Sequence, residues 1–166
     1  MSRGLGDVYK RQDVGCGFGR NAVALALRGY DVICVDSDLG WLRSLAALAP
    51  EYFQKHALGS SDIGRLYPIC ADAAAWPFAP KSMSAIIAVH FVRLELIDEF
   101  HRSLQAGGHF YFETFGGHGL NYISLPRSGQ LRDVLSDKFV LQFYRERRVG
   151  PAGCDAVTVK LLAQKI

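Results

Sequence analysis

The sequence predicts an α/β protein in which a mainly parallel sheet carries helices on both faces and ends in an antiparallel hairpin. Short apolar segments rich in β-branched residues alternate with segments of helical periodicity. A glycine turn joins the first strand to the first helix, and two long strand-like segments end the chain with no helix between them. The 166 residues suffice for one domain around a single large core.

The glycine turn at residues 13–21 (DVGCGFGRN) is the organising feature. It predicts a strand end, a turn, and a helix over 20–28 that Gly29 ends. Glycines at alternate positions bare the backbone for a ligand, and the helix start favours an anionic group. A dinucleotide fingerprint would need a glycine at Arg20, and no Gly-Lys-Ser/Thr triplet of a phosphate-binding loop occurs. Close packing of the helix on the strand is the alternative reason for the glycines.

Residues 1–12 do not fit this pattern. The strand before the turn should be central and almost entirely apolar, but Lys10, Arg11 and Gln12 occupy it. Residues 7–12 resemble the translation of a common transposon-type sequencing adapter. We therefore expect residues 1–12 to be an assembly artefact, and the domain to span residues 13–166 without its native N-terminal segment.

The remaining elements follow in order. Strands are predicted over 31–35, 66–70, 83–89 and 109–115, with Pro68 placing the second of these at or near an edge. A helix capped by Ser37 or Asp38 should end at Pro50, and another over 92–105 should be closed by Gly107 and Gly108. A short helix over 130–136 then precedes an antiparallel pair, 139–147 and 154–164.

Composition restricts the partners. The net charge is only +3, and Glu146 interrupts the one basic cluster, at 145–148, so a solvated hairpin end is favoured over a nucleic-acid surface. Neither a membrane-spanning apolar run nor a signal peptide is recognisable. The four cysteines are too widely spaced for a zinc or redox motif. We expect a cytoplasmic protein with reduced thiols, no metal, and no nucleic-acid or membrane partner.

Beginning at Asp13, the acidic-x-Gly-x-Gly-x-Gly motif resembles the first motif of class I S-adenosylmethionine-dependent methyltransferases. Residues 29–32, 72–78, 104–110 and 121–131 extend the resemblance over 13–166, toward a small-molecule branch that includes tellurite-resistance and thiol methyltransferase-like proteins. The sequence departs from the family pattern at four positions, which are Trp76 for leucine, Ser84 for aspartate, Ala106 for proline and Gln130 for glutamate.

The resemblance implies a Rossmann-like seven-stranded sheet, S-adenosylmethionine as cofactor, and methyl transfer to a small-molecule acceptor. It also implies which residues contact the cofactor: Asp13 at the ammonium, Gly15, Cys16 and Gly17 along the methionine portion, Arg20 and Asn21 at the carboxylate, Asp36 and Ser37 at the ribose, Asp72 and Ala73 at the adenine, and His90 near the reaction centre.

Three of these assignments have alternatives. Asp36 falls 19 residues after Gly17, where its two oxygens can accept both ribose hydroxyls, but it can also cap the next helix. Asp72 can simply turn its loop. His90 can be a ligand, a base or packed polar filler.

The resemblance does not identify a catalytic residue. A thiolate acceptor needs little base catalysis, whereas an oxygen or nitrogen acceptor could use His90, Glu113, His118 or Tyr122. Nucleic-acid methylation is disfavoured because Val89-His90-Phe91-Val92 stands where an Asn/Asp-Pro-Pro-aromatic motif would be. Binding of S-adenosylmethionine without catalysis, an inactive fragment, and a nucleotide-binding oxidoreductase are the other hypotheses.

Overall fold

A computed structural model describes residues 10–56, 63–116 and 120–166. The strands within these ranges are β1 (Lys10–Val14), β2 (Val32–Asp36), β3 (Leu66–Cys70), β4 (Met83–Val89), β5 (Leu104–Glu113), β6 (Phe139–Arg148) and β7 (Val157–Lys165). The α-helices within them are α1 (Arg20–Ala26), α2 (Leu39–His56), α3 (Ile97–Ser103) and α4 (Gln130–Leu135). Residues 1–9 of the artefact predicted over 1–12, and the candidate base His118, lie outside the described residues.

The strands form one sheet in the order β3-β2-β1-β4-β5-β7-β6. The first five strands pair in parallel, and β7 pairs antiparallel with both β5 and β6. This confirms the predicted mainly parallel, seven-stranded Rossmann-like sheet with a C-terminal hairpin. The chain reverses its direction of travel across the sheet between β1 and β4, and ligands of open α/β sheets bind at such a point.

Two apolar clusters lie on opposite faces of the sheet. One packs α1 and α2 against β2 and includes Val23, Cys34 and Leu45. The other packs α3 and α4 against the centre of the sheet and includes Phe100, Phe110 and Leu131. Burial of these apolar surfaces holds the strand ends in a fixed relation, as the predicted helix-on-both-faces architecture requires.

Pro68 lies in the edge strand β3, as predicted, where a missing N–H on the solvent side costs no hydrogen bond of the sheet.

The polar residues Lys10, Arg11 and Gln12 lie in the central strand β1. The Gln12 side chain is fully buried, and neither its amide nitrogen nor its oxygen has a partner among the described residues. The conflict between these polar residues and a central, buried strand, which the sequence predicted, is therefore present in the folded chain.

Several predicted boundaries are wrong. Helix α2 continues through Pro50 to His56, because Pro50 is exposed and its loss of one helical hydrogen bond does not end the helix. Gly107 and Gly108 do not close a helix. They lie inside β5, which begins at Leu104 instead of residue 109, while α3 ends at Ser103.

No helix within the described ranges is long and apolar enough to cross a membrane. In the same residues no group of three or more histidine, cysteine or acidic side chains could hold a metal ion. All four cysteines are free thiols, in agreement with the prediction of reduced cysteines.

Candidate functional site

The glycine turn after β1 is tied to the end of β2. The backbone N–H of Gly17 donates to Oδ2 of Asp36 at 2.8 Å, and the N–H groups of Gly15 and Cys16 both donate to the carbonyl of Val35, at 2.8 and 3.0 Å. Oδ1 of Asp36 accepts from the N–H of Asp38 at 2.9 Å. Because each carboxylate oxygen has a second lone pair, Asp36 can still accept hydrogen bonds from a ligand.

The presence of glycine at three positions of this turn has two different structural explanations. A Cβ at Gly15 would lie 2.6 Å from the Phe91 ring, and one at Gly19 would lie 2.4 Å from the Leu45 side chain. Close packing thus disfavours a side chain at these two positions, although the neighbours are Phe91 after β4 and Leu45 of α2 and not the first helix against the first strand. A Cβ at Gly17 would meet nothing within 4 Å. The space over Gly17 is open to a ligand.

Asp13 lies beneath the turn. Its side chain is 1% exposed, and Oδ2 accepts the N–H of Ala22 in the first turn of α1 at 3.1 Å. Burial raises the pKa of Asp13 to about 7, the Ala22 hydrogen bond opposes this rise, and the nearby charge of Asp36 adds to it. The carboxyl is therefore partly protonated at neutral pH.

Cys16 also turns inward. Its thiol lies against Cys34, and this contact together with burial raises the pKa of Cys16, so the thiol stays protonated at neutral pH. The backbone of Cys16 forms part of the turn, whereas its side chain points into the interior.

A cavity of about 270 Å³ opens between the ends of β1, β2, β3 and β4. Six of the candidate residues line it: Gly15, Asp36, Ser37, Asp72, Ala73 and His90. Five lining residues were not singled out from the sequence, namely Val35, Ala71, Val89, Phe91 and Arg93. Their position at strand ends was the available signal, and Phe91, an aromatic residue directly after the β4 end, was the most recognisable.

Asp72 does turn its loop. Its Oδ1 accepts the N–H of Ala74 at 2.9 Å and caps a one-turn 3₁₀ helix. The same residue lines the cavity, so its position is compatible both with turning the loop and with contacting a ligand.

Asp38, and not Asp36, caps α2, because its Oδ1 accepts from the N–H groups of Gly40 and Trp41 at 2.7 and 3.2 Å.

His90 stands at the rim with a backbone φ of 60°, a conformation uncommon for residues other than glycine. Its ring stacks on Phe115, with 4.3 Å between ring centroids. Partial burial and the charge of Arg20 lower the pKa of His90. The imidazole is therefore neutral at pH 7 and able to accept a proton.

The other five candidate residues do not line this cavity: Asp13, Cys16 and Gly17 lie in or before the turn, and Arg20 and Asn21 begin α1. Arg20 lines a neighbouring apolar groove of about 440 Å³ between α1 and α2, and Asn21 is half-buried in the first turn of α1. Of the candidate bases, Glu113 accepts the hydroxyl hydrogen of Tyr111 and pairs with Lys160. Tyr122 lies beside Gly150 of the hairpin.

Residues 12–112 match the family model described as a methyltransferase domain. Among curated proteins, the chain is 30% identical over 148 residues to the biotin biosynthesis bifunctional protein BioHC of Cellvibrio japonicus (strain Ueda107), covering 85% of this chain. The chain spans about a quarter of the length of that relative, 26%.

Solved structures with the same fold include an S-adenosylmethionine-dependent methyltransferase from Methanosarcina mazei, with a TM-score of 0.70, 20% identity, and coverage of 98% of this chain and 94% of that one. Geranyl diphosphate C-methyltransferase from Streptomyces coelicolor A3(2) has a TM-score of 0.72, 16% identity, and coverage of 98% and 74%. TehB from Haemophilus influenzae has a TM-score of 0.67, 18% identity, and coverage of 98% and 59%. At these identities the likeness concerns the fold.

Proposed function

Because the chain belongs to the class I S-adenosylmethionine-dependent methyltransferases, a family defined by that cofactor, we propose that it transfers the methyl group of S-adenosylmethionine to a small-molecule acceptor. The observation that carries this proposal is the hydrogen bond from Gly17 to Asp36 beside the cavity at the switch point of the sheet. It joins the bare backbone of the turn to a carboxylate with free acceptor capacity.

The residues present fit the cofactor. The space over Gly17 is open, so the methionine portion has a place against the backbone of Gly15 and Gly17. Asp36 would accept the ribose hydroxyls, with Ser37 beside it. Asp72 would accept from the adenine amine, and Ala73 lies next to it on the same cavity wall.

The polar end of the cofactor would meet the base of the turn. Asp13 would hold the ammonium, directly or through water, because it is the carboxyl near the end of β1, two residues before Gly15 of the turn. Arg20 and Asn21, at the start of α1, would serve the carboxylate.

When bound, S-adenosylmethionine supplies a methyl group on a positively charged sulfur that an electron pair of the acceptor attacks. The chain's own residues then have three tasks. Asp36 and Asp72 orient the adenosyl group, and holding reactants in a near-attack geometry can lower a barrier by roughly 7–11 kcal/mol. Phe91 excludes water from one side of the turn. His90 can take a proton at an imidazole nitrogen from a hydroxyl or amine acceptor.

A small acceptor is supported by two observations. The motif that nucleic-acid amine methyltransferases carry after the fourth strand is replaced here by Val89-His90-Phe91-Val92. The fold neighbour from Streptomyces coelicolor is named for a small molecule, geranyl diphosphate. We also propose a cytoplasmic location, because all four cysteines are free thiols.

Calorimetric titration with S-adenosylmethionine, S-adenosylhomocysteine and NAD tests the cofactor. We expect the first two to bind and NAD not to bind, and a preference for NAD would contradict the proposal. Methyl transfer to a panel of thiols and small amines then tests catalysis. Tight binding of the cofactor with no transfer to any acceptor would favour the alternative, a non-catalytic S-adenosylmethionine-binding protein or an inactive fragment.

A further inference from the structure

A second cavity lies beside the first one, over the antiparallel part of the sheet. It has a volume of about 310 Å³ and is bordered by β5, β6 and β7. Glu113 is in register with Lys160, and Lys160 is in register with Arg145, so the three side chains form a row across one face of the sheet. Arg147, two residues further along β6, points to the same face and also lines the cavity.

The charges of this row do not cancel. Among the described residues, Glu113 is the only carboxylate that lines the cavity, and its Oε1 lies 3.4 Å from Nζ of Lys160. Glu113 also accepts the hydroxyl hydrogen of Tyr111. Its charge is therefore balanced by Lys160. Within the part of the chain that the structure describes, the guanidinium groups of Arg145 and Arg147 form no ion pair with a carboxylate.

The two cavities share a wall. His90 lines the first cavity and Phe115 lines the second, and their rings stack with 4.3 Å between centroids. The N–H of His90 donates to the carbonyl of Glu113 at 2.8 Å, which fixes the end of β4 against the end of β5. The stacked rings of His90 and Phe115 would therefore separate a molecule in the second cavity from the first cavity.

We propose that this second cavity binds a carboxylate or phosphate group of the methyl acceptor, held by Arg145 and Arg147. The planar guanidinium donates two parallel N–H groups that match the oxygens of either anion. Two such groups without a carboxylate partner in a concave site form a receptor for an oxyanion. Thr158 lines the same wall, where its hydroxyl donates to the carbonyl of Arg147 at 3.3 Å. This inference rests on the proposed function, because an anionic group held here would orient the acceptor's reactive atom past the His90–Phe115 pair toward the first cavity.

The basic cluster at 145–148 thus divides into two parts. Arg145 and Arg147 point to the cavity, whereas Glu146 faces the opposite side, where it accepts from the N–H of Gly129 at 2.9 Å. Arg148 has the same orientation as Glu146 by strand alternation and does not line the cavity. It provides a control residue of identical charge on the same strand.

The first experiment measures anion binding alone, by calorimetric titration with inorganic phosphate, pyrophosphate and succinate at constant ionic strength. Three proteins are compared: the wild type, the double variant Arg145→Gln/Arg147→Gln, and the control Arg148→Gln. We expect the wild type to bind at least one of these anions with millimolar or tighter affinity. The double variant should bind at least tenfold more weakly, and the control should stay within twofold. The anion with the highest affinity distinguishes a phosphate site from a carboxylate site.

Two outcomes overturn the proposal. One is the absence of binding of all three anions to a folded wild-type protein. The other is an equal loss in Arg148→Gln, since this would assign the effect to net charge. The variant Arg145→Lys/Arg147→Lys keeps the charge without the planar fork, and we expect an intermediate affinity from it.

The second experiment compares methyl transfer to 3-mercaptopropionate and 2-mercaptoethanol. We expect a lower KM for the carboxylated thiol in the wild type and no such preference in the double variant, with unchanged affinity of both proteins for S-adenosylhomocysteine. If the wild type binds anions at Arg145 and Arg147 but does not bind S-adenosylhomocysteine, the proposed function fails and the anion site stands. If it binds S-adenosylhomocysteine but none of the anions, only the anion site fails.

Discussion

The N–H of Gly17 donates to Oδ2 of Asp36 at 2.8 Å, across a separation of 19 residues. This contact fixes the turn after β1 against the end of β2. The carboxylate is thus held in place, which reduces the side-chain entropy that ligand binding would otherwise have to remove. Asp36 and Gly17 are therefore the two positions at which the candidate site is tested most directly.

We expect Asp36→Asn and Asp36→Ala to weaken S-adenosylhomocysteine binding by about 10- to 100-fold. The physical reason is the loss of hydrogen bonds to a charged group, which are worth roughly 1.5–3 kcal/mol. Calorimetric titration measures the affinity. The control is Asp38→Ser, two residues away, which removes a neighbouring charge and retains a capping side chain for α2. Equal affinities of the Asp36 variants and the wild type would remove Asp36 from the cofactor site.

Replacement of Gly17 by alanine separates the conformational role of the turn from its role toward a ligand. Gly17 has a φ of 52° and Gly153, in the hairpin, a φ of 85°, and an added Cβ would meet nothing within 4 Å at either position. Both Gly17→Ala and Gly153→Ala should therefore lower the free energy of unfolding by about 1–2 kcal/mol through backbone strain alone. Chemical denaturation measures this quantity.

The two alanine variants should differ in cofactor affinity. If the cofactor lies against Gly17, only Gly17→Ala should reduce S-adenosylhomocysteine binding, by at least tenfold, because its methyl group projects into the space for the ligand. Retention of full affinity by Gly17→Ala would mean that the ligand does not contact the turn at this position.

The protonation of Asp13 predicts an unusual pH dependence. Burial raises the pKa of this carboxyl from 3.8 to about 7, so between these two values the folded chain retains a proton that the unfolded chain releases. Stability must fall as the pH rises through this window. Between pH 5 and pH 8 we expect the free energy of unfolding to fall by about 2–3 kcal/mol relative to Asp13→Asn, which cannot titrate. An identical pH dependence of both proteins would contradict a raised pKa.

Asp13 should also link cofactor binding to pH. The ammonium of S-adenosylhomocysteine favours the ionised carboxylate, so binding should release a proton below about pH 7 and become tighter as the pH rises from 6 to 8. Titration in buffers of different ionisation enthalpy detects the proton. In Asp13→Asn the affinity should be weaker and independent of pH over this range.

The sequence predicted β2, β3 and β4 well because each of them is marked by a short apolar run. The bounds of β3 and β4 are those expected, 66–70 and 83–89. Local signals failed where tertiary packing decides the outcome. Leu104 follows α3 directly into β5 because it is fully buried and pairs with Met83, a long-range contact that no local pattern records.

The same distinction holds for the candidate site. The positions of Asp36, Asp72 and His90 on the cavity could be predicted because each lies at the end of an apolar strand or within two residues of it, and the carboxyl ends of parallel strands meet at one edge. The contact of Phe91 with Gly15 could not be predicted, since it depends on the distance between two strands. Nor could the inward orientation of Cys16, which follows from its contact with Cys34.

The last prediction concerns Gln12, which occupies the central strand with a fully buried amide that has no hydrogen-bond partner among the described residues. A buried polar group without a partner costs about 1–3 kcal/mol. Gln12→Met and Gln12→Leu, which have similar size and no such group, should therefore raise the free energy of unfolding by that amount. The control is Gln142→Met. Its side chain is exposed and its Nε2 donates to Gln164 at 3.0 Å, so the change should be within about 0.5 kcal/mol of zero.

A stabilised Gln12 variant would support our proposal that residues 1–12 are not native, since few single substitutions raise stability by this amount. Resequencing of the source locus tests the proposal independently. An intact 7–12 segment in the locus, together with no gain in stability from Gln12→Met, would mean that the native chain accommodates this amide, and the proposal would then be withdrawn.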